Sequence, residues 1–220
     1  MSNPANRRAA TGPAMDLVPT PVGTAGITWH RAPRPVRAVA LLGHGTATGV
    51  EAADLQALAA VLPGHGISVA LITQPYRMNR TRTGSDEASP DAAWKAVWPM
   101  AADLGVPVIS GGRSAGSQVA CRTAEQFGAH AVLALAYPLL GPGSPAELLA
   151  TGRPTLILQG ERDPFGRPDQ FPALPSDLEL VEIPAANHTF DVPGSSSRPA
   201  TMRLITDETL RWIERQLART

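Results

Sequence analysis

The chain has 220 residues, enough for one α/β domain with a sizeable core. Lys and Arg together number 19, and so do Asp and Glu, so no net positive field argues for nucleic acid or an anionic membrane surface as a partner. A single cysteine, Cys121, excludes an intrachain disulfide and suits a reducing cytoplasm, and no run approaches the ~20 apolar residues of a membrane span.

Residues 1–18 are polar and rich in Pro and Ala, so a disordered tail is expected there, ahead of one domain over residues 19–220. The tail carries Arg7 and Arg8 but no apolar stretch of the kind a secretory signal needs. Residues 22–31 read as one or two short strands around Gly26, with Ile27, Trp29 and Arg31 alternating with smaller residues. Residues 36–42 (VRAVALL) form a continuous apolar run, as expected of a strand buried on both faces. Gly43, His44, Gly45, Thr46, Ala47, Thr48 and Gly49 follow at once. Small residues directly after a central strand let the backbone turn an N–H toward a substrate, which is how an oxyanion loop is built. His44 is expected to orient this loop by a hydrogen bond. A Walker loop is excluded, because no G-K-[ST] is present.

Residues 51–62 have Leu55, Leu58 and Leu62 at helical spacing, and residues 67–73 (ISVALIT) are the next strand. His65, between them, reads as a solvated turn residue. The loop over residues 74–91 carries Tyr76, Arg77, Arg80 and Arg82, and is long for a mere connection. It reads as a basic surface loop in preference to one that borders the site, which is the alternative. Ser89 and Pro90 suit the start of a helix bearing Trp94, Val97, Trp98 and Ala101, and Pro99 is expected to kink or divide that helix.

Residues 106–127 (VPVISGGRSAGSQVACRTAEQF) are the most informative stretch. The β-branched Val106, Val108 and Ile109 lead into Gly112, Arg113, Ser114, Ala115 and Gly116, and then into helix-compatible sequence. Strand, G-x-S-x-G turn and helix make the layout of a nucleophile elbow. Glycine is needed there because the serine sits on a sharp turn with no room for flanking side chains. Ala115, Gly116, Ser117, Ala120 and Ala124 allow the helix to pack close to a sheet, and Cys121 reads as core filler.

Residues 131–136 (AVLALA) and 154–159 (PTLILQ) are two further buried strands. The segment between them is too short for a cap domain, so an open site is expected, with Leu139 and Leu140 as candidates to line an acyl pocket. Glu161 and Asp163 follow one strand end, and Asn187 and His188 follow the strand over residues 178–183. Leu210, Ile213 and Leu217 mark a closing amphipathic helix. Strands and helices alternate throughout, so the expected fold is α/β with a mostly parallel sheet and no second domain. In such a sheet the loops bearing Ser114, Asp163 and His188 share the C-terminal edge, where ligands bind. Serine, acid, histidine is also the chain order of the α/β-hydrolase triad. Asp163 is preferred as the acid over Glu161, and Asp191 is a local rival as partner of His188.

The segments LLGHGTATG, SGGRSAGSQVA, LALAYPL, TLILQGERDPFG and the final Asn187-His188 pair resemble small bacterial α/β hydrolases related to dienelactone hydrolase. They are most similar to the branch that holds the eukaryotic testis-expressed protein of this fold and the third subunit of the nonspecific-lethal acetyltransferase complex. The resemblance runs from about Val36 to the C-terminus. It implies Ser114 as nucleophile, His188 as base and Asp163 as acid, with backbone N–H groups of Thr46 and Ala115 as the oxyanion hole. His44, Gly45, Tyr76, Arg113, Leu139 and Leu140 are the candidates to line the substrate pocket. The reaction expected of such a triad at an uncapped site is hydrolysis of a small ester or thioester, with no metal or organic cofactor. Two departures stand out: dienelactone hydrolases use a cysteine nucleophile, and the branch often has Lys where this chain has Arg113. The alternatives are a thioesterase or acyltransferase served by an acyl carrier, and a non-catalytic binding scaffold.

Overall fold

Each long apolar run folds as a strand of one sheet, because its residues can be buried on both faces only between layers of helices. The computed structural model describes residues 14–79, 88–141, 144–192, 194 and 198–219. The strands are β1 (Met15–Thr20), β2 (Gly23–His30), β3 (Ala38–Gly43), β4 (Ile67–Thr73), β5 (Val108–Arg113), β6 (Ala131–Leu135), β7 (Thr155–Gly160) and β8 (Leu178–Ile183). The helices are α1 (Ala53–Val61), α2 (Pro75–Met78), α3 (Ala88–Ala102), α4 (Ala115–Phe127), α5 (Pro145–Leu149) and α6 (Arg198–Leu217).

The sheet has eight strands in the order β1-β2-β4-β3-β5-β6-β7-β8. From β4 to β8 every neighbour is parallel, while β1 and β2 run antiparallel at one side. The alternating residues of the central strands feed two separate cores. On one face Val39, Leu41, Ile109's neighbour Val108 and Val132 pack with Trp94, Val97 and Trp98 of α3 and Val119, Ala120, Cys121 and Ala124 of α4. On the other, Ala40, Leu42, Ile109 and Leu133 pack with Leu55 and Leu58 of α1 and Ile205, Trp212 and Ile213 of α6. This is the single-domain α/β-hydrolase architecture expected from the sequence, and among its described residues the segment between β6 and β7 holds only the short α5.

Residues 15–18, expected to belong to the tail, are instead in β1, while residues 1–13 lie outside the described region. Val18 packs against the core but Met15 and Leu17 remain exposed, so burial is not mainly what orders this strand. Pairing to the open edge of β2 through a tight turn does so: Thr20 Oγ1 donates to the Gly23 carbonyl at 2.5 Å. Pro19 is tolerated because the strand is at the edge. Pro99 does not divide α3, which runs through it; the Asp103 N–H still donates to the Pro99 carbonyl at 2.8 Å.

The chain steps from β3 to β4 on one side, and then crosses β3 to place β5 on the other. Strand order reverses there, so the loops after β3 and β5 diverge and leave a crevice at their C-terminal ends. Gly43 and Gly112 are register partners at those ends. A Cβ on Gly112 would lie 2.6 Å from the Gly43 carbonyl oxygen, and one on Gly116 would lie 2.6 Å from the Gly43 carbonyl carbon. Backbone is therefore packed directly on backbone where β5 turns into α4.

Gly112→Ala or Gly116→Ala is expected to destabilise the fold by about 1–3 kcal/mol, the usual cost of overpacking. Gly64→Ala, where a Cβ would meet nothing within 4 Å, should stay within about 0.5 kcal/mol. Urea unfolding of the three variants tests the contrast, and equal effects at Gly116 and Gly64 would contradict it.

Candidate active site

Ser114 links β5 to α4 with φ 51° and ψ −125°, outside the regions a side-chain-bearing residue normally occupies. Its N–H donates to the Leu135 carbonyl at 2.9 Å, and its own carbonyl accepts from Ser117 N–H at 2.9 Å and Ser117 Oγ at 2.6 Å. The turn is thus held on both sides. The side chain stays half-buried at the crevice rather than inside the core.

His188 lies in the loop between β8 and α6, and its Nε2 is 3.0 Å from Ser114 Oγ. Its Nδ1 is 2.7 Å from Asp163 Oδ2. The carboxylate can only accept, so in the neutral ring Nδ1 carries the proton and Nε2 accepts from the serine hydroxyl. The Asp163 side chain is wholly buried. It is satisfied by two further donors: Phe165 N–H to Oδ1 at 2.8 Å and Gln159 Nε2 to Oδ2 at 3.0 Å. Gln159 also donates to the Gly166 carbonyl at 2.6 Å, which pins the far side of the loop. The Phe165 ring packs on the His188 ring with centroids 4.6 Å apart.

The rival carboxylates have other partners. Glu161 Oε2 accepts from Ala185 N–H, and Asp191 is paired with Arg198 and accepts from Thr189 Oγ1.

Residues 36–214 match the family model of the alpha/beta hydrolase domain. The chain belongs to this family. A search among curated proteins finds no match. Solved structures give the same fold at low identity. An alpha-beta serine hydrolase homologue from Coxiella burnetii is 18% identical, with 91% of this chain and 99% of that one covered and a TM-score of 0.72. A lidless serine hydrolase from Xanthomonas campestris is 18% identical over 94% and 98% of the two chains, with a TM-score of 0.72. Dienelactone hydrolase from Anabaena variabilis is 21% identical over 88% and 94%, with a TM-score of 0.67.

Within this α/β hydrolase the expected pocket residues separate. Gly45 is buried against the serine: a Cβ on it would lie 3.1 Å from Ser114 Cβ. Tyr76 is half-buried, its hydroxyl 3.5 Å from the Gly45 carbonyl. Leu140 is exposed and lines a cleft of about 500 Å³ with Glu161, Arg162, Asp163, Pro164, Arg167 and Gln170. Three candidates do not line the pocket. Leu139 is 6% exposed and packs against Gly166. Arg113 is 3% exposed and its guanidinium is used up by protein partners, as an inward-facing charge must be. His44 is 2% exposed and is part of the loop's framework. Arg77 pairs with Glu51 at 2.6 Å, while Arg80 and Arg82 lie outside the described residues. Cys121 is buried, and burial pushes its thiol up to about 12, so it is no nucleophile at neutral pH.

Sequence reasoning missed Gln159, Phe165 and Asp54. Gln159 ends the otherwise apolar run TLIL, and a polar residue at that point was a usable signal. Asp54 lies one turn before Leu58, on the same inward stripe of α1. Nothing in the sequence marks the Phe165 contact.

His44 reads clearly from its partners. The Gln74 N–H donates to Nε2 at 3.0 Å, so the proton is on Nδ1, which donates to the Gly45 carbonyl at 2.7 Å. Burial is the largest influence on the ring and lowers its pKa below 6.5, against the raising effect of the Gly45 bond; Arg77 and Glu51 act in opposite senses. A folded-state pKa below the unfolded one gives stability that is full above about 6.5 and is lost as pH falls through the depressed value. Wild-type stability should therefore drop more steeply from pH 7 to pH 5 than that of His44→Gln. His30, also lowered by burial, is common to both proteins and cancels. Urea unfolding at three pH values checks this, and parallel slopes would refute it.

Proposed function

We propose that this α/β hydrolase is a serine hydrolase acting on a small carboxylic ester or thioester through an acyl-serine. The observation that carries the reading is the unbroken chain from Ser114 Oγ to His188 Nε2 at 3.0 Å and from His188 Nδ1 to Asp163 at 2.7 Å, set at the crevice beside Gly45. Ser114 Oγ attacks the carbonyl carbon while its proton passes to Nε2 of His188. The imidazolium, facing the Asp163 carboxylate, then protonates the leaving alcohol or thiol as its bond to the acyl carbon breaks. Water attacks the acyl-serine, gives its proton to His188, and releases the acid with Ser114 restored.

The oxyanion donors in this reading are the Thr46 and Ala115 N–H groups. The Gly45–Thr46 peptide is trans, so its N–H points opposite to its carbonyl. That carbonyl is held by His44 Nδ1, which supports an outward aim for Thr46 N–H. Ala115 N–H is the first of α4, where the helix leaves its amides free and its dipole favours negative charge. A small substrate fits the shortness of the segment between β6 and β7, whose described residues hold one short helix, and the lone buried thiol supports a cytoplasmic setting.

A fluorophosphonate probe should label Ser114 in the wild type and leave Ser114→Ala unlabelled. On a p-nitrophenyl ester, Ser114→Ala should lose on the order of 10⁶ in turnover. Asp163→Asn presents an amide to Nδ1, favours the wrong tautomer, and should lose ~10⁴. Glu161→Gln keeps its acceptor for Ala185 N–H and Asp191→Asn removes a half-exposed charge, so both should stay within about tenfold. Labelling that survives Ser114→Ala would place the nucleophile elsewhere, and a crippled Asp191→Asn would reassign the acid.

A further inference from the structure

Arg113 precedes the serine, yet its side chain turns the other way, under the site. Its three nitrogens serve three separate segments. Nε pairs with Asp54 Oδ2 of α1 at 2.9 Å, Nη1 donates to Thr48 Oγ1 of the loop after β3 at 2.8 Å, and Nη2 donates to the His188 carbonyl at 2.7 Å. The side chains of Arg113 and Asp54 are 4% and 2% exposed. Asp54 is itself anchored, because its Oδ1 accepts the Leu55 N–H at 2.9 Å.

We infer that Arg113 is a positioning residue, which fixes the His188 loop and the oxyanion loop to the strand that carries the nucleophile. The inference rests on the serine-hydrolase reading of Ser114 and His188. Two consecutive residues grip one histidine: Ser114 meets its ring, and Arg113 holds its backbone. Such a two-point hold defines both where the imidazole is and how it is turned. The rest of the loop is tied to itself through Asn187 Oδ1, which accepts from the N–H groups of Thr189 and Asp191, and to the segment after β7 through Ala185 N–H to Glu161 Oε2 and Arg162 N–H to the Ala186 carbonyl, so Arg113 supplies its hold on the side of β5 and the loop after β3. It also contains Ala185 and Phe190 at φ 56° and 57°, a conformation that persists only where surroundings impose it. The bond to Thr48 extends the same hold to the loop bearing Thr46. Asp54 neutralises the guanidinium, so the hold adds no net positive charge that would oppose a protonated His188. A planar guanidinium spans three acceptors in fixed directions, whereas an ammonium is a point donor on a flexible stem.

Arg113→Lys keeps the charge beside Asp54 and loses the fork. It is expected to fold, with circular dichroism and melting close to wild type. Its kcat should fall by about 10²-fold with KM within about threefold, since a displacement of about 1 Å between reacting groups costs that much. Fluorophosphonate labelling of Ser114 should slow in parallel. The low-field proton resonance of the His188–Asp163 bond should broaden or vanish, which a change confined to the scaffold would not produce. If Arg113→Lys does not fold, Asp54→Asn leaves the bonds to Thr48 and His188 in place but loosens the third anchor, and about a tenfold loss in kcat with a broadened resonance is expected. Wild-type kcat, labelling rate and resonance in Arg113→Lys, or in Asp54→Asn where that variant stands in, would overturn the inference while the serine-hydrolase reading stands. A wild-type chain that the probe does not label at Ser114 would instead overturn that reading.

Discussion

Backbone touching backbone at the meeting of β3, β5 and α4 is the constraint on which the site depends. Gly43, Gly112 and Gly116 leave no space for a Cβ between them. Their approach puts the start of α4 directly against the end of β3, so Ser114 has no room to continue the strand or begin the helix in a relaxed way. It is forced to positive φ, and its side chain is thrown clear of the layers toward the crevice. Trp94 of α3 closes the same junction from one face: a Cβ on Gly43 would meet its ring at 2.9 Å. The apolar core and the placement of the serine are one packing problem.

The charged groups beneath the site are buried but not orphaned, while Gln159 is satisfied through its Nε2 and not its Oε1. Asp163 has three donors around its carboxylate, and Arg113 has an acceptor for each of its nitrogens. A buried ion pair is seldom a net source of stability, because desolvating both charges offsets their attraction. What such a network supplies is a single geometry, since any rearrangement leaves a charge or an amide unpaired in a low dielectric. Gln159 illustrates this. One side-chain amide joins the acid, the Gly166 carbonyl and, at 3.3 Å, the Tyr137 carbonyl, so the loops after β6 and β7 cannot shift independently of Asp163.

Much of this was legible in the sequence, for reasons that can be traced. Runs such as ISVALIT declare a doubly buried strand, and β4 has the bounds that the run implies. The elbow was legible because glycine at two fixed offsets from a serine after an apolar run has few other physical uses. β1 was not legible, since its order comes from an edge partner and a turn rather than from its own pattern. The burial of Arg113 and His44 was hidden for a similar reason. A polar residue in a Gly-rich loop looks like a ligand-facing group until its partners, here Asp54 and Gln74 from distant segments, are known.

The strain in this chain is concentrated where the proposed chemistry is. The non-glycine residues at positive φ among the described ones are Ser114, Ala136, Ala185 and Phe190. They follow β5, β6 and β8, so all lie at the C-terminal edge of the parallel sheet. Each costs of order 1–3 kcal/mol and none has glycine's freedom to avoid it. The opposite edge of those strands carries no such residue among the described ones, and its turns use glycine where φ is positive, as at Gly105 and Gly128. A polypeptide that had only to fold would have no reason to separate the two edges in this way. Loops that would hold a serine and a histidine at hydrogen-bond distance do have one. Ser114 is itself one of these residues and Ala185 and Phe190 flank His188, and the two cores beneath them offset the cost.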